Sequence, residues 1–219
     1  MPALPYNRFQ LKVLKGVGEV QLVIREACRK LVAGDPVHLV TRETGQAVRS
    51  FIARELGTMV AGSVMTLDFS GVGIIDFSCA DECLAKLVTR LIAGEYGEKY
   101  LLLAGLGESQ RENIHVALER KRLPAIHVYP DGSWDCLGTI TPHLRETLLL
   151  LVARRRMSAR EMVGVLDLEL TASSTRLGNL HRLRLVRRQE RSIGDGGREF
   201  VYECLVRSDS TEPTGASHG

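Results

Sequence analysis

The clearest chemical signal in the chain is a run of arginines without acids. From Thr171 to Gln189 the sequence reads TASSTRLGNLHRLRLVRRQ, with five Arg and neither Asp nor Glu. Ser173, Ser174, Thr175, Arg176 and Asn179 fall at the start of a predicted helix. A helix that enters the major groove of DNA needs short polar residues and Arg at that end, and no acids to repel phosphate. Arg176 and Asn179 are therefore candidates for base edges. Arg182, Arg184, Arg187 and Arg188 are candidates for phosphate contacts, with Arg191 or Arg198 further along. Such contacts neutralise phosphates without specifying bases, so binding to double-stranded DNA is expected to weaken steeply with salt. The competing reading makes the same arginines a solvated face on a protein-docking or dimerisation module.

A second group of candidate residues is Asp76, Ser78, Asp81 and Glu82. Ser78 is expected to cap a helix through its hydroxyl, and Asp81 and Glu82 to be favoured in the first turn by the helix dipole. An alternative has Ser78 accept a phosphate, which a helix N-terminus would also stabilise. Other chemistry finds little support. The five cysteines, Cys28, Cys79, Cys83, Cys136 and Cys204, have neither disulfide nor zinc-ligand spacing and read as buried apolar residues. Ala104 to Ser109 lacks the third Gly and the Lys of phosphate loops, and reads as a tight turn ending in a helix cap. His38, His115, His127 and His181 belong to no recognisable catalytic signature. No catalytic residue, metal or cofactor is expected, and the chain is read as a binding protein.

The charge is unevenly placed. Residues 141 to 207 hold thirteen Arg, no Lys and eight acids, about +5, whereas residues 1 to 140 balance near zero. Two parts with different partners are implied. Neither a signal peptide nor an apolar run of roughly 20 residues is found, so a cytoplasmic protein with no membrane span is expected.

The first part alternates strand-like and helix-like stretches, the pattern of a sheet covered by helices. Strands are predicted at Phe9 to Leu14, Val37 to Val40, Val64 to Phe69, Val72 to Ile75, Tyr100 to Leu103 and Ala125 to Tyr129. Helices are predicted over Glu19 to Leu31, from Thr41 or Thr44 through Leu56, from Ser78 through Ile92, and over Glu108 to Arg120. The turn Pro130-Asp131-Gly132-Ser133 closes this part. Pro142 then opens a helix through Arg155, Ser158 to Glu161 has capping-box spacing for a second, and Thr171 starts a third. A hairpin follows, with its tip at Gly194 to Gly197. The tail 208–219 has the composition of a disordered segment.

Residues 142 to 205, with TASSTRLGNLHRLRLVRRQERSIGDGGREFVY at their centre, resemble bacterial winged-helix repressors. The shared features are a Ser/Thr-rich helix start, a leucine ladder, "LVRR" and a Gly-tipped wing. Val64 to Leu91, VMTLDFSGVGIIDFSCADECLAKLVTRL, resembles the STAS-like family, relatives of the anti-sigma-factor antagonists; the likeness spans about residues 37 to 128. In those antagonists the strand ends in Asp-Ser-Ser-Gly, whose first Ser is phosphorylated. Here the tetrad is Asp76-Phe77-Ser78-Cys79, so Phe77 stands in the phosphoacceptor place and that switch does not carry over.

The resemblances imply an α/β STAS-like sheet-and-helix domain over residues 1–138, followed by an α+β winged helix-turn-helix domain over 141–207. The expected function is a DNA-binding transcriptional regulator whose STAS-like domain senses a partner or ligand, working as a possible homodimer. The alternative is an adaptor, both domains binding proteins, that links a kinase-like ATPase to another component.

Overall fold

The computed structural model describes residues 12–13, 18–31, 38–194 and 197–206. Most of the expected strand Phe9 to Leu14, the centre of the hairpin tip and the tail 208–219 lie outside them. The fold is mixed α/β, built on a mostly parallel central sheet. None of the helices among the described residues is long and apolar enough to cross a membrane.

The first part runs β1 (Lys12–Val13), β2 (Glu19–Val23), α1 (Ile24–Leu31), β3 (His38–Leu39), α2 (Arg42–Thr58), β4 (Val64–Asp68), β5 (Ile74–Ile75), α3 (Phe77–Ala80), a π turn (Asp81–Ala85), α4 (Lys86–Ile92), β6 (Tyr100–Ala104), α5 (Glu108–Arg120), β7 (Pro124–Val128) and β8 (Trp134–Gly138). Six strands form one sheet in the order β1-β2-β4-β6-β7-β8. The four inner strands are parallel, and β1 and β8 pair antiparallel at the edges.

Strand residues alternate between two faces. Met65, Leu67, Leu101 and Leu103 join the helices in one core. Val64, Tyr100, Leu102 and Ile126 turn the other way, into a second core. A parallel strand buried on both faces reads as a continuous apolar run, which explains Tyr100-Leu101-Leu102-Leu103.

Local signals are realised where they are strong. Thr41 caps α2, its Oγ1 accepting from the Thr44 N–H at 3.1 Å. Val48, Phe51, Ile52 and Leu56 form the buried face of that helix. Ahead of α5 the Gln110 side chain accepts from the Gly107 N–H at 3.0 Å. All five cysteines are buried and unbridged; burial pushes the thiols of Cys28 up to about 11 and Cys79 up to about 12, which disfavours their thiolates.

Other expectations change. Glu19 to Val23 is a strand and only Ile24–Leu31 is helical. Glu-Val-Gln-Leu-Val also alternates with period two, and a five-residue parallel register with β4 decides between the periods. Of the predicted strand at 37–40, Val37 lies outside the described residues and β3 covers His38–Leu39, pairing with β5 in a separate two-stranded sheet. Pro130 to Ser133 does not close the first part. The Tyr129 N–H donates to the Ser133 carbonyl at 2.8 Å, making a hairpin into β8, which the sequence reading omitted.

The second part contains α6 (Pro142–Arg154), β9 (Arg156–Ser158), α7 (Ala159–Leu166), α8 (Leu170–Arg182), β10 (Val186–Ile193) and β11 (Gly197–Cys204). Pro142 stands at the start of α6. Ser158 and Glu161 form the expected capping box, with the Ser158 N–H donating to Glu161 Oε2 at 2.6 Å. Burial opposes ionisation of Glu161, but bonds from Ser158 prevail and hold its carboxyl below the usual range. The three strands form an antiparallel sheet in the order β10-β11-β9; β9 stands where a plain turn was expected.

The core of this second part is not its own. Leu144, Leu148, Leu151, Leu177, Leu180 and Tyr202 bury against one another and against Val64, Tyr100, Leu102 and Ile126 of the central sheet. The sheet's second face thus serves as a foundation for the three helices.

Candidate nucleic-acid interface

Helix α8 divides cleanly by burial. Ser173, Leu177, Leu180 and His181 face the core. Thr171, Ser174, Thr175 and Arg182 are exposed, and a Cβ added to Gly178 would meet nothing within 4 Å. Positions 171, 174, 175, 178 and 182 lie on one side of a helix. The result is a flat, polar, acid-free stripe. Glu169, at the N-cap, makes no side-chain capping bond, so the first-turn N–H groups of α8 lack that partner.

The candidate residues separate into distinct environments. Ser173 is fully buried, which removes it from any direct contact with a ligand; the residue one hundred degrees away, Ser174, is exposed. Thr175 donates its hydroxyl to the Thr171 carbonyl at 2.8 Å, a bond within the helix. Arg176 is half-buried and reaches Glu146 of α6 at 2.8 Å. Asn179 Oδ1 accepts from the exposed Arg182, so these two side chains act as a pair.

Arg184 and Arg187 do not face outward as phosphate contacts would. Arg184 has φ +61°, its Nε donates to the Leu91 carbonyl at 3.2 Å, and its guanidinium lies 6.0 Å from the Tyr100 ring centre. Arg187 Nη1 approaches the Gly62 carbonyl at 3.5 Å, and its Nε stands 3.7 Å from Glu203. Both hold the joint between α8 and β10 against the central sheet. His181 completes the joint, with Nε2 at 3.6 Å from Glu98 and its ring 6.5 Å from that of Tyr100. Burial, with Arg188 and Arg184 nearby, holds its imidazole below the usual histidine range despite Glu98.

The hairpin carries the remaining arginines. Arg188 stacks over Phe200 at 4.2 Å. Arg191 reaches Glu199 at 3.0 Å and Glu161 at 3.7 Å, while Arg198 pairs with Glu190 at 3.2 Å. The exposed Arg198–Glu190 pair holds weakly, so Arg198 can exchange its carboxylate for a phosphate at small cost, whereas Arg191 is tied more firmly through two N–H groups to the largely buried Glu199.

The second candidate group is also rearranged. Asp76, not Ser78, caps the helix: its Oδ1 accepts from the Cys79 N–H at 2.7 Å, and Ser78 lies half-buried inside the first turn. The cap moves by two residues because the short strand β5 ends at Ile75, which leaves Asp76 extended. Asp81 and Glu82 lie beyond this first turn, in the π turn, and owe their placement to ion pairs. Asp81 stands 3.3 Å from Lys121 and 3.6 Å from Arg42. Glu82 is buried, bonded to Arg49 at 2.5 Å and to Lys86. Burial opposes its ionisation, but the bonds from Lys86 and Arg49 outweigh that and hold the carboxyl below the usual range.

Two concavities had no signature in the sequence. One, of about 730 Å³, lies between α5, β8 and the start of α6, with Arg111, Asp135 and Arg145 among its lining groups. The other, of about 440 Å³, runs along the second face of the sheet, from Glu19 and Val64 at the starts of β2 and β4 to Asp68, Ala104 and Val128 at the ends of β4, β6 and β7. Among the described residues no cluster of three or more His, Cys, Asp or Glu is placed to hold a metal ion. Searches of known protein families, curated proteins and solved structures find no match to this chain.

Proposed function

We propose that the chain is a DNA-binding transcriptional regulator, with a winged helix-turn-helix at residues 141–207 set on a STAS-like α/β unit. The observation that carries this reading is the exposed, acid-free stripe Thr171, Ser174, Thr175, Gly178 and Arg182 on α8. The order α6-β9-α7-α8-β10-β11 supports it, being that of a winged helix, in which the third helix enters the major groove and the hairpin flanks it.

The contacts are narrower than the arginine count suggested. Ser174, Thr175 and the Asn179–Arg182 pair present the groove-facing side, and uncapped N–H groups of the first turn receive a phosphate. Arg176 reaches DNA only by leaving Glu146. Arg198 on the hairpin supplies a further phosphate contact, and Arg191 does so only by leaving Glu199. The STAS-like unit is non-catalytic and grips the end of α8 through Tyr100, Glu98 and the Leu91 and Gly62 carbonyls. A signal received there reaches the reading helix through that grip.

A test uses the double variant Ser174→Glu, Thr175→Glu, which places two charges on the stripe without touching a buried group. Fluorescence anisotropy with random duplex DNA at low salt should show binding by the wild type and none by the variant, with unchanged circular dichroism. Equal binding by both proteins would remove α8 from the interface.

A second reading, an adaptor for a kinase-like ATPase, draws on a different region. Val40 and Ile74 are 44% and 50% exposed beside the β3–β5 pair, next to the Asp76 cap. Two exposed apolar side chains beside a helix start suit a protein partner. Co-purification of an ATPase, lost on Ile74→Asp, would favour that reading over DNA.

A further inference from the structure

The groove along the second face of the sheet, whose one end reaches the carboxyl ends of β4, β6 and β7, combines three features that point to a ligand. First is its place: Asp68, Ala104 and Val128 are the last residues of three adjacent parallel strands, and all three line it. Ligands of open parallel sheets bind in the crevice outside those strand ends. Its volume, about 440 Å³, suits a small organic molecule.

The second feature is a built polar floor. Asp68 Oδ1 accepts from the Ser70 N–H and Oδ2 from Gln21 Nε2, each at 2.8 Å. Gly105, at φ +68°, passes directly over this carboxylate; a Cβ there would collide with Asp68 and with the Ser70 hydroxyl. The carboxylate is thus held in one orientation by two donors and a close backbone, and each oxygen keeps a lone pair for another donor.

The third feature is the chemistry of the walls. Leu102, Val128, Leu205 and Val206 supply apolar surface, and among the described residues no Arg, Lys or His lines the groove. Glu19, at the far end of the groove, has a partner of its own, so Asp68 is the acid that meets a ligand. Its carboxylate disfavours a phosphate or carboxylate beside it, whereas a cation with an apolar body finds both its counterion and its burial there.

We propose that this groove is a binding site for a small primary amine with an apolar body, its ammonium on Asp68 and its body against Leu102, Val128 and Val206. The site spans both parts of the protein. Val206 follows β11, and its carbonyl accepts from Arg155 Nη1 at 3.0 Å, at the end of α6. A ligand bound here contacts the central sheet and the segment tied to α6 together, and it stabilises their docked arrangement by mass action. The inference supplies a ligand class for the sensing role proposed above. Its test contains no DNA, so failure of either reading leaves the other standing.

The experiment titrates the full chain with 2-phenylethylamine, followed by amide chemical shifts, with 2-phenylethanol and 3-phenylpropionate as charge controls. Saturable shifts at Ser70, Gly105 and Val206 are expected with the amine. The alcohol should bind about tenfold more weakly, the effect of one charge-assisted hydrogen bond, and the carboxylate should not bind. Ala104→Leu, which fills the groove, should abolish the shifts. Asp68→Asn keeps an acceptor for Ser70 and should equalise the amine and the alcohol. Absence of saturable shifts with millimolar amine, equal binding of the carboxylate, or an undiminished preference for the amine in Asp68→Asn would overturn the proposal.

Discussion

Two arginines at the C-terminal end of α8 serve opposite purposes. Along its exposed stripe Arg182 projects beside Ser174, Thr175 and Asn179, with solvent as its surroundings. Just past its C-terminus Arg184 turns inward, donates to a backbone carbonyl of the first part and lies near a tyrosine ring. One residue, Leu183, separates them in sequence. Arg184 itself is left-handed and turns the chain there, so that one guanidinium meets water and the other reaches the first part of the protein. Charge counted along a sequence does not measure the charge that a partner encounters.

This contrast can be broken at several points. The largest effect is expected at the foundation of the joint. Tyr100 is 1% exposed and touches the surroundings of His181 and Arg184. Tyr100→Ala should lower unfolding stability by about 3–5 kcal/mol in urea titrations, the cost of deleting a large buried aromatic. A loss near zero would show that α8 is not seated on the sheet.

A buried arginine far from α8 sharpens the comparison. Arg49 is 8% exposed and depends on Glu82 for its countercharge. Glu82→Gln should cost about 3 kcal/mol, the low end for a broken buried pair, because Lys86 and Arg42 reach water. The pH dependence follows from the lowered carboxyl. Its stabilisation is present above the ordinary glutamate range and is lost as pH falls through the folded-state value. Thermal melts of wild type and Glu82→Gln should therefore converge on acidification below about pH 4.5.

A smaller effect is expected from His181. Its folded-state imidazole titrates below the ordinary range, so the unfolded chain takes up a proton first as pH falls. Stability should be full above about pH 6.5 and decline below it. Burial is the main cause of this shift, with Arg188 and Arg184 adding to it and Glu98 opposing it. His181→Phe should flatten the stability profile between about pH 6.5 and 5, measured by urea midpoints. An unchanged slope would place the responsible proton elsewhere.

Much of the fold was legible because it is locally encoded. Thr41, Pro142 and the Ser158–Glu161 box mark helix starts through bonds made within one turn. What escaped is decided by distant partners. Glu19 to Val23 satisfies two periodicities, and only its pairing with β4 selects the strand. Strands β8 and β9 are three to five residues long and exist through their neighbours β7 and β11. The helix cap was misplaced from Asp76 to Ser78 because both residue types cap equally well, and the end of β5 determines which is extended.

The candidate site was legible in composition but not in orientation. Ser173 and Ser174 are the same residue type, yet one is sealed in the core and the other lies on the surface. Arg182, Arg184 and Arg187 look alike in a charge count, and their separation required the sheet against which two of them pack. The groove on the sheet's second face brings together residues scattered from Glu19 to Val206, which no local spacing could announce.

The most direct measurement compares the salt dependence of DNA binding in the wild type, Arg182→Ala and Arg184→Ala, using fluorescence anisotropy with random duplex. The slope of log affinity against log salt should fall by about 1 for Arg182→Ala, as for one lost phosphate contact, and stay unchanged for Arg184→Ala. An unchanged slope for Arg182→Ala together with a reduced one for Arg184→Ala would contradict the division of α8 and would mean that the docked end, not the exposed stripe, meets DNA.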